Sequence, residues 1–118
     1  MSDRGAPNKT DSLRYLMQQA VGFSDEREWK QFHSPKNCAA NLAVEASELL
    51  ECYLWNETAT SREAIADEAA DVLHALLVYC DSENIDLSAA FIAKLAKTAA
   101  KYPIETSKGN NAKYTELP

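Results

Sequence analysis

Apolar residues recur along this chain three or four positions apart, the period of an α-helix, and no stretch alternates convincingly enough to read as a strand. Leu13, Leu16, Met17 and Ala20 form the first stripe, which predicts a helix from Asp11 or Ser12 to about Phe23. A charged connector over 24–30 and the triplet Gln31-Phe32-His33 follow. Ser34-Pro35 then marks a helix start, the serine capping free amides and the proline taking the first helical position. This second helix is expected to run to about Trp55. Thr60-Ser61-Arg62-Glu63 reads as a capping box opening a third helix that continues to about Asp81. Asp86 or Ser88 caps a fourth, from about Leu87 to Lys101, stopped by Pro103. The polar residues 1–10 read as a flexible N-terminal arm, and 104–118, with Gly109-Asn110-Asn111, as a loop-like C-terminal tail. The expected architecture is all-α, a bundle of four main helices over 11–103 without internal repeats.

Composition supports that outline and narrows the function. A chain of 118 residues suits one domain able to bury about two-thirds of its unfolded surface. Three glycines and four prolines are too few for a β-sandwich, a barrel or a Gly-rich nucleotide fold. The net charge of −6 argues against binding nucleic-acid polymers or membrane surfaces. Its distribution says more: residues 1–42 carry +1, 43–86 carry −10, and 87–118 carry +3. Cys38, Cys52 and Cys80 are odd in number, lack C-x-x-C spacing and fall in helical patterns, so they read as buried free thiols of a reducing cytoplasm. No basic-then-apolar stretch of the kind expected of a signal opens these residues, and the longest apolar run, 75–80, is too short to span a bilayer.

The strongly acidic segment is also rich in Leu, Ala and Val, which raises the question of where its carboxylates point. On a helical wheel Cys38, Leu42, Leu49 and Cys52 all lie within about 60° of Glu45, and Glu48 lies at the edge of that apolar stripe. The third helix places Glu68 and Asp71 together on a face with Ala64, Ala75 and Val78. Beyond them, 72–80 is apolar almost all round apart from His74, as suits a helix enclosed by neighbours. Acidic residues near a helix N-terminus have a simpler reason to be there, the helix dipole, and one E-x-x-E alone means little. Two such pairs turned into apolar faces make a cluster that only cations stabilise. All-oxygen ligands suit Mg²⁺, or Mn²⁺, better than Zn²⁺. Glu51 and Asp67 are outer candidates. A di-iron carboxylate bundle is the competing metal reading, since Asp71-x-x-His74 supplies half its ligand set, but Glu48-x-x-Glu51 lacks the second histidine. A non-catalytic helical dimerisation module with an acidic face is the alternative of a different class.

Glu45-x-x-Glu48, nineteen residues, then Glu68-x-x-Asp71 resembles the metal signature of the MazG-like, all-α nucleoside triphosphate pyrophosphohydrolases. The stretch from Glu26-Arg27-Glu28-Trp29 through Gln31-Phe32-His33-Ser34-Pro35-Lys36-Asn37, with Trp55, Lys101-Tyr102-Pro103 and Lys113-Tyr114-Thr115-Glu116-Leu117-Pro118, is similar to the dCTP pyrophosphatase branch. The resemblance implies hydrolysis of the α–β phosphate bond of a deoxynucleoside triphosphate, with dCTP or a modified dCTP as first expectation, in nucleotide-pool house-cleaning. It implies that Glu45, Glu48, Glu68 and Asp71 hold Mg²⁺ and that one carboxylate, taken as Glu48, handles the attacking water. It further implies Lys94, Lys101 and Tyr102 as phosphate contacts, Trp29 and Trp55 as walls of a base pocket, and His33 and Lys36 beside the site. Thr98 and Ala75 depart from the Asn and Tyr that relatives carry there. The family also implies a homo-oligomer, dimer or tetramer.

Overall fold

The computed structural model describes residues 11–59 and 61–117, and among these it contains five helices and no strand. They are α1 (Ser12–Glu26), α2 (Pro35–Glu51), α3 (Arg62–Ser82), α4 (Leu87–Lys101) and the single turn α5 (Ile104–Ser107). Short 3-10 turns occupy Lys30–Phe32 and Tyr114–Glu116. The all-α class follows from the apolar period as expected. The N-terminal arm expected over 1–10 lies outside the described residues, as do Thr60 and Pro118.

Helix starts are set by side-chain caps. Asp11 accepts from the Arg14 amide at 2.8 Å, and the Arg14 guanidinium bridges Asp11 and Asp86 at 3.3 and 3.1 Å. Ser34 accepts from the Asn37 amide at 3.2 Å with Pro35 behind it. Ser61 caps α3, accepting from the Ala64 amide at 3.0 Å. Glu63 sits in the first turn, where its charge favours the helix dipole, and Thr60, the other end of the expected capping box, lies outside the described residues.

The C-termini depart further from the apolar pattern. The helix α2 ends at Glu51, four residues short of Trp55, because the amides of Cys52, Tyr53 and Leu54 turn back to carbonyls three residues earlier at 3.2, 2.9 and 3.4 Å. Conversely, α1 continues to Glu26, into the expected connector. Its end is a Schellman motif: Trp29 N–H donates to Ser24 O at 3.0 Å and Glu28 N–H to Asp25 O at 3.1 Å, with Glu28 left-handed at φ 55°. The same motif closes α3, where Ile85 N–H donates to Cys80 O at 2.9 Å and Asn84 sits at φ 56°. Neither motif uses glycine.

The described residues form two compact units, one ending at Leu87 and one beginning at Ser88. In the first, α1 and α2 both pack against α3. Its fully buried apolar residues are Ala20, Cys38, Ala75, Leu77 and Cys80, and all but Leu77 are small. Small contact residues let helix backbones approach closely, which brings side chains flanking the seam within reach of one another. The second unit holds most of α4, then α5 and the terminal turn; the expected boundary at 103/104 falls inside it. The single turn α5 replaces loop because Pro103 O accepts from Ser107 N–H at 2.9 Å. The cysteines are free thiols, Cys38 and Cys80 buried and Cys52 only half-buried. Among the described residues no helix is long and apolar enough to cross a membrane.

A left-handed residue with a Cβ costs about 1–2 kcal/mol relative to glycine in that conformation. Part of this is offset by the greater freedom glycine loses on folding. Glu28→Gly is therefore expected to raise unfolding free energy by up to about 1 kcal/mol, and the β-branched Glu28→Val to lower it by about as much. Urea unfolding monitored by circular dichroism measures both, and the opposite ranking would contradict the terminal geometry.

Candidate active site

Ser34 and Ser61 fix the registers of α2 and α3, and with them the direction of every carboxylate in the acidic segment. Glu45 and Glu48, one turn apart on α2, meet Glu68 of α3: one carboxylate oxygen from each lies within 4.8 Å of the others. All three residues are half-buried. Asp71, the fourth expected ligand, is exposed and outside this trio, yet its charge acts on both Glu45 and Glu68. Glu51 and Asp67 are exposed and add to the negative field at Glu68. The ion pairs of Arg14, Arg27 and Lys30 all lie elsewhere.

This crowding moves proton affinities. Partial burial, then the charges of Glu48, Asp71 and Glu68 and a hydrogen bond with Glu48, hold Glu45 above the ordinary carboxylate range. Glu68 is raised by burial first, then by Glu48, Asp71, Asp67 and Glu51. Its Oε1 atom is buried and has no hydrogen-bond partner. A desolvated carboxylate oxygen among like charges lacks a positive neighbour, and a hard divalent cation supplies one. The all-oxygen donor set therefore fits Mg²⁺ or Mn²⁺.

Beside the carboxylates is a cavity of about 380 Å³. Trp29, Phe32 and His33 wall it from the α1–α2 connection, Asn37, Cys38 and Asn41 from α2, His74, Ala75 and Val78 from α3, and Ser24 from α1. Asn41 precedes Glu45 by four residues and Ala75 follows Asp71 by four, so cavity and cluster are neighbours along the same helix pair, about 6 Å apart along each axis. Because α2 reaches the cluster with rising residue number and α3 with falling number, the two helices run antiparallel here. Phe23 meets the Trp29 ring edge-on at 5.7 Å and the His74 ring at 6.0 Å, and this props the cavity rim. A second, nearly apolar cavity of about 400 Å³ lies between α1 and α3, lined by residues that include Leu16, Phe23, Leu73 and Leu77.

Of the expected substrate contacts, Trp29 and His33 line the first cavity, while Lys36 and Trp55 do not. Trp55, 86% exposed, stands in the turn after α2. Lys94, Lys101 and Tyr102 belong to the second unit. There the Lys101 ammonium lies 4.9 Å from the Tyr114 ring centroid, and the Tyr102 ring meets Tyr114 edge-on at 6.0 Å. Thr98 donates its hydroxyl proton to Lys94 O at 3.0 Å. The sequence reading did not single out Ser24, Phe32, Asn37 or Asn41 as cavity residues. Asn37 and Asn41 did carry a signal: they stand eight and four residues before Glu45, at the flank of the apolar stripe.

Residues 41–117 match the model of the MazG-like family. The chain is 35% identical over 105 residues to dCTP pyrophosphatase 1 of Rattus norvegicus, covering 81% of this chain and 62% of that protein. It is 32% identical over the same shares to dCTP pyrophosphatase 1 of Homo sapiens. The chain thus spans about 62% of the length of the curated relatives it matches. Among solved structures, a pyrophosphatase from Archaeoglobus fulgidus superposes with a TM-score of 0.72 at 32% identity, covering 79% of this chain and 94% of that one.

The raised Glu45 and Glu68 pKa values give the pH dependence a definite sign. Between the ordinary value of 4.5 and the raised folded value, the folded state binds more protons than the unfolded state. Without metal, this contribution to stability is full below 4.5 and is lost as pH rises through the folded value. A cation that binds only the folded state stabilises it by about 2.7 kcal/mol when present at one hundred times its Kd. Calorimetric melts in EDTA should therefore show Glu68→Gln at or above wild type at pH 7, with the order reversed in Mg²⁺. A wild-type melting temperature indifferent to Mg²⁺ would contradict the cation site.

Proposed function

This chain belongs to the MazG-like family, and on that premise we propose that it is a divalent-cation-dependent nucleoside triphosphate pyrophosphohydrolase. The observation that carries the reading is adjacency: a carboxylate trio and an aromatic, polar-rimmed cavity lie one helical turn apart along the same two helices. A nucleotide has the matching form, a flat base joined by a short sugar to a polyanion. In the proposed complex Trp29 and Phe32 supply apolar and aromatic surface against the base, and His33, Asn37 and Asn41 supply polar contacts at its edge.

The triphosphate then extends toward Glu45, Glu48, Glu68 and Asp71, the proposed Mg²⁺ ligands, with Mn²⁺ as a substitute. Bound there, the divalent cation neutralises phosphate charge, polarises phosphorus and lowers the pKa of water. Glu48 is the proposed group that orients the attacking water and takes its proton; it neighbours both Glu45 and Glu68 in the trio. Attack at the α-phosphorus breaks the α–β bond and releases a monophosphate and pyrophosphate. dCTP, or a modified dCTP, is the proposed first substrate, supported by the names of the relatives from Rattus norvegicus and Homo sapiens. Removing unwanted nucleotides from the pool is the corresponding role. Lys36, Trp55, Lys94, Lys101 and Tyr102 retain their proposed substrate roles on the sequence resemblance alone.

A homo-oligomer is part of the same reading. Leu50, Leu54 and Trp55 follow one another at and beyond the end of α2, and Phe91, Ile92 and Leu95 share α4; all six are large, apolar and exposed. The free thiols fit a cytoplasmic setting.

Incubation with each deoxynucleoside triphosphate in Mg²⁺ should release pyrophosphate rather than phosphate. In ¹⁸O-labelled water the label should appear in the monophosphate. Glu48→Gln should lower kcat by about 10²–10⁴-fold, the range for loss of general base catalysis. Release of orthophosphate, or full activity in Glu48→Gln, would overturn the assignment.

A further inference from the structure

Phe23 does not line the Trp29 cavity, yet its ring meets two of the side chains that do. It stands 5.7 Å from the Trp29 ring at an interplanar angle of 71°, and 6.0 Å from the His74 ring at 87°. Edge-to-face pairs of this kind attract beyond what their buried area contributes. Trp29 reaches the cavity from the α1–α2 connection and His74 reaches it from α3. The Phe23 ring, carried by α1, is therefore a strut between two walls that no other aromatic pair joins among the described residues.

Trp29 depends on that strut more than a core tryptophan would. It is 44% exposed, and its indole N–H donates to no protein group among the described residues. The backbone fixes where the residue begins, since Trp29 N–H donates to Ser24 O at 3.0 Å, but leaves the side-chain rotamer to packing. Phe23 is itself held in place. The Arg27 guanidinium carbon lies 3.6 Å from its ring centroid, and Arg27 also donates to Phe23 O at 3.0 Å, so the cation is tied to the residue whose ring it covers. Phe23 and His74 also line the second cavity, of about 400 Å³. On that side the strut has open space rather than packed side chains, so no neighbour replaces its ring when it is cut back.

We propose that Phe23 is a positioning residue for base binding: through its edge-on contact with Trp29, braced by Arg27 and His74, it holds the indole in the orientation that a nucleobase packs against. This rests on the proposed nucleotide site and names the residue that pre-organises it. An unsupported indole gives up its rotamer freedom when the base binds, whereas a strutted one has given it up on folding. Phe23 reaches the base only through Trp29, so it acts alike on every base and leaves the carboxylate chemistry untouched. Its effect falls on Kd and KM and not on kcat.

Phe23→Leu keeps apolar bulk and helix propensity while removing the ring. Titration calorimetry with the four deoxynucleoside monophosphates in Mg²⁺ and steady-state kinetics with the four triphosphates are run on wild type, Phe23→Leu, Trp29→Leu and the double variant. Near-ultraviolet circular dichroism in a Trp55→Phe background, where Trp29 is the one remaining tryptophan, reads how firmly the indole is held. The expected result for Phe23→Leu is a rise of about three- to tenfold in Kd and KM for all four bases, with kcat unchanged and the Trp29 signal weakened. In the Trp29→Leu background the same change should add less than about twofold, since the strut then holds nothing. An unchanged Kd, a full repeat of the loss in the Trp29→Leu background, a loss confined to kcat, or an intact Trp29 signal would overturn the proposal. Should Phe23→Leu not fold, Arg27→Gln takes its place: a rise of about twofold in Kd with a weakened Trp29 signal supports the proposal, and no change in either overturns it. A wild type that binds monophosphates yet releases no pyrophosphate removes the hydrolase assignment while the Kd values still decide Phe23. A wild type that binds none of the four removes both, and binding indifferent to Phe23 removes only this proposal.

Discussion

Mutual repulsion among carboxylates held in a half-buried seam is the constraint on which the rest of this structure turns. Glu45, Glu48 and Glu68 bring oxygens within 4.8 Å of one another, Asp71 adds its charge at both Glu45 and Glu68, and Glu51 and Asp67 add theirs at Glu68. In water the solvent screens such charges from one another; beside the apolar contact of α2 and α3 the screening is weaker and each loses hydration. The fold tolerates this because small residues, Cys38 and Ala75 among them, let the two helices close elsewhere along the seam. A divalent cation bound there would turn the cluster from a liability into a site. That asymmetry, unfavourable when bare and favourable when loaded, is the behaviour expected of a polyphosphate-handling centre rather than of a structural core.

The helix termini serve this cluster at a distance. A slip of one residue at Ser34 or Ser61 would rotate every carboxylate on α2 or α3 by about 100° and scatter the trio. The caps therefore set chemistry as well as stability. The Schellman turn after α1 does comparable work for the cavity: it reverses the chain within three residues, so that Trp29 stands beside Phe23 and Ser24 while His33 follows from the next turn. Arg27, stacked on Phe23 with its guanidinium carbon 3.6 Å from the ring centroid, braces the outer side.

What could be read from residue order alone divides along physical lines. Spacing of three and four residues fixes direction on a helix, so the inward turn of Glu45, Glu48 and Glu68 was legible, as was the start at Ser34-Pro35. The ends of α3 and α4 were legible to within a residue, but that of α1 was not, because the left-handed residue that terminates it is Glu28 rather than glycine. The misjudged end of α1 had a cost in turn: Ser24 reads as connector in the sequence and is helical and buried in the fold. Likewise the apolar period runs on through Cys52 and Trp55, while the backbone tightens into three-residue turns there. Contacts that depend on distant segments, such as Lys101 and Tyr102 with Tyr114, leave no trace in local pattern.

In the proposed complex the α2–α3 carboxylates hold a divalent cation beside a nucleotide whose base occupies the Trp29 cavity. Crystals grown with Mn²⁺ and a non-hydrolysable α,β-substituted dCTP test it directly, through the anomalous signal of manganese. An anomalous peak coordinated by Glu45, Glu48 and Glu68, with the base against Trp29, is the expected result. Manganese bound elsewhere, or a nucleotide seated away from the cavity while the trio stays empty, would contradict it.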